Sequence, residues 1–325
     1  MFAVVQTRGA IVEATHPFSV ASAWPDGRVT VEGRDVTTAF RSAAKPFQLA
    51  VSLEALGDPP VSEAMLAVGA ASHSAEPAHL EVVRLVLAQF GLSEGALRCG
   101  AHAPMHEPSA HAVLRAGGAF TDLHNNCSGK HAFMAAAARR GGLDADYRPA
   151  DHPLQRANRA ALEQAAGGAA QVATDGCGVP TFGFPLSGIA RAWGHVAASM
   201  AAVEAAAATD ATTARLGRIA WAMAKHPQLT SGTGRLDLDV VRASPEPITV
   251  KVGAMGLFCI ALPRRRLALA VKVASGVAEA LPAAVRWALE RVGVSLRLPS
   301  PWPLCEVRSV AGLVAGEVAV RPLQP

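Results

Sequence analysis

The amino-acid sequence predicts an α+β fold in which strands from both ends of the chain form one antiparallel sheet. Short strand-like segments separated by turn residues fill residues 1–40. Strand patterns return only at residues 248–273, and helical patterns occupy the stretch between. Strands at both ends with helices between them are typical of α+β proteins. We therefore expect an antiparallel sheet formed by N- and C-terminal strands and flanked by a helical region.

The individual strands are predicted from alternating side chains bounded by turn residues. The predicted N-terminal strands are residues 2–7, 10–14, 18–24 and 28–33, and the predicted C-terminal strands are residues 248–252, 257–262 and 267–273. A Pro-Arg-Arg-Arg segment separates the last two strands and indicates a turn. The three C-terminal strands are therefore expected to form a meander.

Helices are predicted where apolar residues recur at helical spacing and a glycine or a polar segment follows. The predicted helices are residues 42–56, 76–90, 128–140, 154–166, 186–206, 211–225 and 278–292. No linker, low-complexity tract or repeat interrupts these patterns. We expect residues 1–325 to form a single domain.

Composition argues against nucleic-acid and membrane partners. Half of the residues are hydrophobic, and the net charge is only +4. The longest basic run is three arginines at residues 264–266, so the basic residues are predicted to lie on solvated faces. No apolar run reaches transmembrane length, and the N-terminal residues do not resemble a signal peptide. Five cysteines without a tight framework favour a cytoplasmic location.

The segment Ser42-Ala-Ala-Lys45 is the first candidate for catalysis. Residues three apart on a helix share a face, so Lys45 is able to accept the proton of the Ser42 hydroxyl. A buried lysine has a lowered pKa, and a helix N-terminus favours a developing anion. In the alternative interpretation, Ser42 caps the helix and Lys45 is a surface charge, because this short pattern is common by chance.

Two further segments carry candidate hydroxyl and amine groups. In residues 72–76, Ser74 either caps the following helix or supplies a second hydroxyl that relays protons. Lys251 alternates with valines in the predicted strand 248–252, and Gly253 allows close approach of another backbone or a substrate. Taken alone, this strand pattern favours a solvent-facing Lys251.

The segment HNNCSGKHAF, residues 124–133, concentrates polar and reactive groups in an otherwise apolar chain. Cys127 and Lys130 are three residues apart, and Cys177 follows fifty residues later. Two thiols and a nitrogen donor are able to hold zinc, although the lysine must first lose its proton. In the alternative, Ser128 caps a helix, Cys127 is a small buried group and Lys130 lies at the surface.

Together these motifs resemble a known family. They occur in the order seen in type II bacterial L-asparaginases of the Rhizobium type, which are unrelated to the threonine-dependent asparaginases. The resemblance runs from about residue 10 to residue 280. The motifs that carry it are FRSAAKPFQ, ASHSAEPAH, HNNCSGKHAF, DHPLQ, DGCGVPTF, SGTGR and KVGAMG.

The resemblance implies the serine β-lactamase and penicillin-binding-protein fold, which serine glutaminases share. It implies Ser42 as the nucleophile and Lys45 as its base, with Ser74 and Lys251 as a second pair. The strand motif K-T-G of the wider fold reads Lys251-Val252-Gly253 here. Because Val252 lacks the hydroxyl of threonine, selectivity among small amides is expected to change.

The resemblance also implies a zinc site and a substrate site. Zinc would orient the substrate, while serine supplies the nucleophile. The implied metal ligands are Cys127, Lys130 and Cys177, and the implied substrate-binding residues are Asn126, His131, Asp175 and Gly253.

The predicted activity is hydrolysis of L-asparagine to L-aspartate and ammonia through a β-aspartyl–enzyme ester. The resemblance implies a homodimer, with the small-molecule substrate as the other partner. Two alternatives remain at this point. One is an acyl hydrolase of the β-lactamase or peptidase kind, and the other is a zinc-binding protein without turnover.

Overall fold

The computed structural model describes residues 2–299 and 302–323. Its strands are β1 (Phe2–Arg8), β2 (Ile11–Ala23), β3 (Val29–Glu32), β4 (Thr37–Ala39), β5 (Gln171–Thr174), β6 (Pro180–Pro185), β7 (Thr249–Val252), β8 (Leu257–Leu262), β9 (Leu267–Val273), β10 (Glu306–Arg308) and β11 (Val314–Pro322). Its helices are α1 (Lys45–Ala55), α2 (Glu63–Gly69), α3 (Pro77–Gln89), α4 (Glu107–Arg115), α5 (Ser128–Arg140), α6 (Pro153–Ala166), α7 (Leu186–Glu204), α8 (Ala211–Lys225), α9 (Pro227–Thr230), α10 (Leu236–Ala243) and α11 (Leu281–Arg291).

The main sheet unites the two ends of the chain, as the sequence predicts. Its antiparallel order is β10-β11-β1-β2-β9-β8-β7, and β3 also pairs with β2. The register places Phe18 of β2 opposite Val273 of β9. Strands β4, β6 and β5 form a separate small sheet. The predicted α+β class is therefore confirmed, and strand β7 lies at one edge of the main sheet.

Helices cover both faces of the main sheet, and the sequence of β9 shows why. Its small residues, Ala268 and Ala270, face the core that includes Trp193 of α7. Its large residues alternate with them and belong to a second core with α11 (Leu267, Leu269, Val271 and Val273). Small side chains allow α7 to pack closely, while branched and long side chains fill the space beneath α11.

The start or the N-cap residue of the helix differs from the sequence prediction at three functional segments. Residues 41–44 form a 3₁₀ turn, and α1 begins only at Lys45. Helix α3 begins after Glu76, whose N–H donates to His79 Nδ1, so the alternative in which Ser74 caps this helix is wrong. The N-cap of α5 is Cys127 rather than Ser128.

Predicted strands 10–14 and 18–24 are one continuous strand, β2. Strands β10 and β11 and helices α2, α4 and α10 lie in segments for which the sequence predicted no element. Within the two described ranges, no helix is both long and apolar enough to cross a membrane.

Candidate active site

A cavity of about 720 Å³ opens beside the edge strand β7. Ser42 and Asn126 line it, and so does the turn of residues 252–256 that follows β7. Helix α10 and the residue before it also contribute to the wall. Three predicted site residues, Ser42, Asn126 and Gly253, are thus brought together from three separate parts of the chain.

Ser42 lies in the 3₁₀ turn directly before α1. The preceding residue, Arg41, has a φ of +48°, which is unusual for a side chain with a Cβ. Such a conformation costs about 1–3 kcal/mol and persists only where the surroundings hold it. The guanidinium of Arg41 donates to Asp175 Oδ1 at 2.8 Å. This ion pair ties the turn that carries Ser42 to the loop that carries Cys177.

Lys45 is buried, with 1% of its surface exposed. Its Nζ lies 2.9 Å from Ser72 Oγ, 2.5 Å from Ala71 O and 3.4 Å from Asn126 O. Burial lowers the pKa of Lys45, although the Cys127 thiol group opposes the shift. A neutral amine has two N–H donors and one lone pair. The three contacts suit a neutral amine, because the carbonyls of Ala71 and Asn126 accept its two N–H groups and the Ser72 hydroxyl is able to donate to its lone pair.

The hydroxyl beside Lys45 belongs to Ser72 and not to Ser74. Ser72 lines the cavity together with Ser42. Ser74 Oγ instead donates to Ser231 O at 3.2 Å, and its side chain packs against Gly232. In the described part of the chain, Ser74 makes no hydrogen bond to a lysine, and no hydrogen bond joins the side chains of Ser42 and Lys45.

Lys251 is fully buried, so the solvent-facing interpretation of its strand pattern is wrong. Its Nζ donates to Val252 O at 3.2 Å and lies 3.8 Å from Asp237 Oδ1. Burial lowers the pKa of Lys251 to about 7, Asp237 partly offsets this effect, and the charge of Lys45 adds to it. At neutral pH a large fraction of Lys251 is therefore uncharged.

Cys127, Lys130 and Cys177 form a buried cluster behind Lys45. Lys130 Nζ lies 3.1 Å from Cys177 Sγ. A hydrogen bond from Cys177 holds the pKa of Cys127 well below its usual range, and the same bond raises the pKa of Cys177. Burial disfavours the charge of Lys130, yet the two sulfurs raise its pKa. The three side chains of this cluster are therefore electrostatically linked and lie in a water-poor environment.

The donor atoms of this cluster fit zinc. Two sulfurs and one amine are a suitable set for a tetrahedral ion that keeps one position open, once Lys130 has lost the proton that its raised pKa favours. Among the described residues, His, Cys, Asp and Glu side chains form no metal-binding group of three. A metal ion in this cluster would therefore require the amine of Lys130 as a ligand.

The other predicted substrate-binding residues have different surroundings. His131 Nδ1 lies 3.0 Å from the Tyr147 hydroxyl, and its buried Nε2 has no hydrogen-bond partner among the described residues. Burial and the charge of Lys130 lower the pKa of His131 well below its usual range. Asp175 pairs with Arg41 and accepts from Gly176 N–H at 2.7 Å. Neither His131 nor Asp175 lines the cavity.

The sequence analysis did not identify Ser72, Arg235 and Asp237 as site residues, although all of them line the cavity. Ser72 was visible only as the first serine of Ser72-His73-Ser74, and nothing in that spacing separates it from Ser74. Arg235 ends the SGTGR motif, whereas Asp237 has the pattern of an ordinary acidic residue in a first helical turn. Their shared position beside Ser42 depends on tertiary packing.

The family model described as L-asparaginase II matches residues 4–319. The chain belongs to the L-asparaginase II family. Its membership makes the protein an asparaginase-type amidohydrolase. A comparison with curated proteins finds no match.

The solved structures that resemble this chain are distant. Mglu in its native form is 16% identical, with coverage of 89% of this chain and 67% of the Mglu chain and a TM-score of 0.40. Mglu in its tris and glutamate form is 17% identical, with coverage of 89% and 62% and a TM-score of 0.38. A β-lactamase from Mycobacterium bovis is 14% identical, with coverage of 84% and 94% and a TM-score of 0.37.

Proposed function

We propose that the protein hydrolyses L-asparagine to L-aspartate and ammonia through an ester on Ser42. The observation that carries this proposal is that Ser42 and Ser72 line one cavity and that Ser72 contacts the buried amine of Lys45. A serine hydroxyl needs a base to become an effective nucleophile. A lysine kept neutral by burial is such a base, and membership of the L-asparaginase II family supports a side-chain amide as the substrate.

In the first half-reaction, Ser42 Oγ attacks the carbon of the side-chain amide. The hydroxyl proton passes through Ser72 Oγ to the lone pair of Lys45 Nζ, because Ser72 lies between the cavity and the amine. The C–N bond then breaks, and the proton returns to the nitrogen, which leaves as ammonia. A β-aspartyl ester of Ser42 remains.

Backbone donors are available for the negative oxygen of the tetrahedral intermediate. Ala254 lies just after β7 and lines the cavity, and its N–H has no acceptor among the described residues. The start of the helical segment at Ser42 supplies a second N–H. Two backbone donors aimed at one oxygen stabilise charge that develops only in the transition state.

Water completes the cycle by attacking the ester carbonyl. Its proton passes to a neutral lysine, and Ser42 Oγ is reprotonated as aspartate leaves. Burial and the charge of Lys130 lower the pKa of Lys45. We propose that Lys251, whose own pKa is lowered to about 7, helps to accept this second proton, and that Ser72 takes the relay role that the resemblance gave to Ser74.

We further propose Cys127, Lys130 and Cys177 as the residues that would hold zinc. Bound zinc would supply a positive charge and an open coordination position that orients a polar group of the substrate. The protein residues around it would fix the cluster: Cys127 begins α5, and the Arg41–Asp175 ion pair anchors the loop of Cys177.

The experiment that tests the proposed function compares Ser42→Ala with Ser93→Ala, an exposed serine outside the cavity. Ammonia release from L-asparagine should fall at least about a thousandfold in Ser42→Ala and stay unchanged in the control. A Ser42→Ala variant that kept a tenth of the wild-type kcat would lose only about 1.4 kcal/mol, which is too little for a nucleophile. Parallel assays with L-glutamine and a chromogenic β-lactam would identify a different amide substrate.

A further inference from the structure

Two oppositely charged residues at the start of α10 face the cavity that contains Ser42. Arg235 is the N-cap residue of α10, and Asp237 lies in its first turn. Both line the cavity, together with Ser42. No mechanistic step above uses either side chain for contact with the substrate.

The guanidinium of Arg235 is available for a ligand. Among the described residues, its side chain bonds only to the thioether of Met105, at 3.1 Å. A thioether sulfur is a weak acceptor, and no described carboxylate lies within ion-pair distance of Arg235. A guanidinium presents a planar fork of donors that matches both oxygens of a carboxylate. Arg235 therefore offers a carboxylate site in the wall of the cavity.

The carboxylate of Asp237 has one engaged oxygen and one open oxygen. Oδ1 accepts from Val252 N–H at 2.7 Å and lies 3.8 Å from Lys251 Nζ. Oδ2 has no hydrogen-bond partner in the described ranges, although only 3% of the residue is exposed. A nearly buried carboxylate with a free oxygen at a cavity wall favours a cationic ligand group.

We propose that Arg235 binds the α-carboxylate of the substrate and Asp237 binds its α-ammonium group. The assignment rests on the proposed hydrolysis of an amino-acid amide and adds the residues that select a free amino acid. L-Asparagine carries both charges on one carbon, and Arg235 and Asp237 provide a cation and an anion in the wall of the same cavity. The alternative anion, Asp175, lies outside the cavity lining and is already paired with Arg41.

Two asparagine analogues separate the two contacts. 3-Aminopropanamide lacks the α-carboxylate, and succinamic acid lacks the α-amino group, while both keep the primary amide. For Arg235→Gln, the preference for L-asparagine over 3-aminopropanamide in kcat/KM should fall about 10- to 100-fold, as expected for a lost bidentate charge contact. Arg235→Lys should retain part of the preference.

Arg242→Gln is the matched control for Arg235→Gln. Arg242 lies on the same helix, and its Nη2 donates to Gln228 Oε1 outside the cavity. This variant should keep the wild-type preference for both analogues. An unchanged preference in Arg235→Gln, or an equal loss in Arg242→Gln, would overturn the assignment of Arg235.

For Asp237→Asn, the preference for L-asparagine over succinamic acid should fall about 10- to 100-fold. If Asp237 acted only by positioning Lys251, the pH–rate profile would shift and both substrates would lose activity equally. That result would overturn its role in ammonium binding.

Binding of L-aspartate to Ser42→Ala protein supplies a readout without turnover. Calorimetry should show affinity about 10- to 100-fold weaker when Arg235→Gln is added. Unchanged affinity would overturn the carboxylate site even if asparagine is hydrolysed. Conversely, weakened aspartate binding without asparagine hydrolysis by the wild-type protein would support the site and contradict the proposed function.

Discussion

Replacing the buried Lys251 by methionine should remove a pH-dependent part of the stability. In the unfolded chain this lysine keeps its proton up to its ordinary pKa of 10.5, whereas in the folded protein it releases the proton near a pKa of about 7. Between these values the unfolded state binds more protons, so the free energy of unfolding rises with pH. Below about pH 7 both states are protonated and the dependence disappears. Methionine has a similar length and does not titrate.

The magnitude follows from the two pKa values of Lys251. Each pH unit within the window contributes about 1.4 kcal/mol, so from about pH 7.5 to about pH 9.5 the wild type should gain roughly 2–3 kcal/mol relative to Lys251→Met. Urea denaturation of both proteins at the two pH values measures this difference, provided that the m-values agree. A stability difference that is the same at both pH values, within about 0.5 kcal/mol, would refute a lowered pKa for Lys251.

Four further predictions concern the site and its support. Ser72→Ala should lower kcat for asparagine by at least about 100-fold and Ser74→Ala by less than tenfold, because only Ser72 contacts Lys45; equal losses would contradict the relay. The pH–rate profile should rise well below the ordinary lysine pKa, and a rate that rises only near about pH 10 would contradict a lysine base. Elemental analysis should find up to one zinc per chain, absent in Cys177→Ala and retained in Cys259→Ala, and zinc retained in both variants would argue against the cluster. Gly129→Ala should cost about 1–3 kcal/mol in chemical denaturation, because its Cβ would lie 2.2 Å from a carbonyl oxygen of α2; an unchanged midpoint would contradict this packing.

The parts of the fold that the sequence predicted well are those with strong local patterns. Strands β8 and β9 and helices α5 and α8 have the predicted bounds, because alternation or helical spacing runs through their whole length. The small sheet was not predicted, because β4 has only three residues and β6 begins and ends with proline and contains Gly183. The pairing of β1 with both β2 and β11 gives no local signal, because it depends on residues at opposite ends of the sequence.

The sequence indicated which residue types belong to the candidate site, but it did not indicate which side chains contact each other there. The spacing of Ser42 and Lys45 predicted a contact between their side chains, whereas residues 41–44 form a 3₁₀ turn and Lys45 Nζ contacts Ser72 Oγ. The low pKa of Lys251 depends on burial beneath α10 and the cavity turn, which alternation within one strand cannot reveal. Arg235 and Asp237 have ordinary positions for a helix start, so only the folded chain distinguishes them.

The position of β9 beside β2 also determines when activity is able to appear during synthesis. The N-terminal strands leave the ribosome long before residues 249–273, and until then β2 has an unpaired edge. Pairing of β2 with β9 closes a loop of more than two hundred residues and is therefore slow. An incomplete chain with an exposed strand edge is prone to aggregation. Lys251 lies on β7, so it approaches Asp237 and the cavity only after the C-terminal strands have been synthesised. A nascent chain therefore keeps this edge of β2 open until β9 has been synthesised and gains its candidate active site only after that.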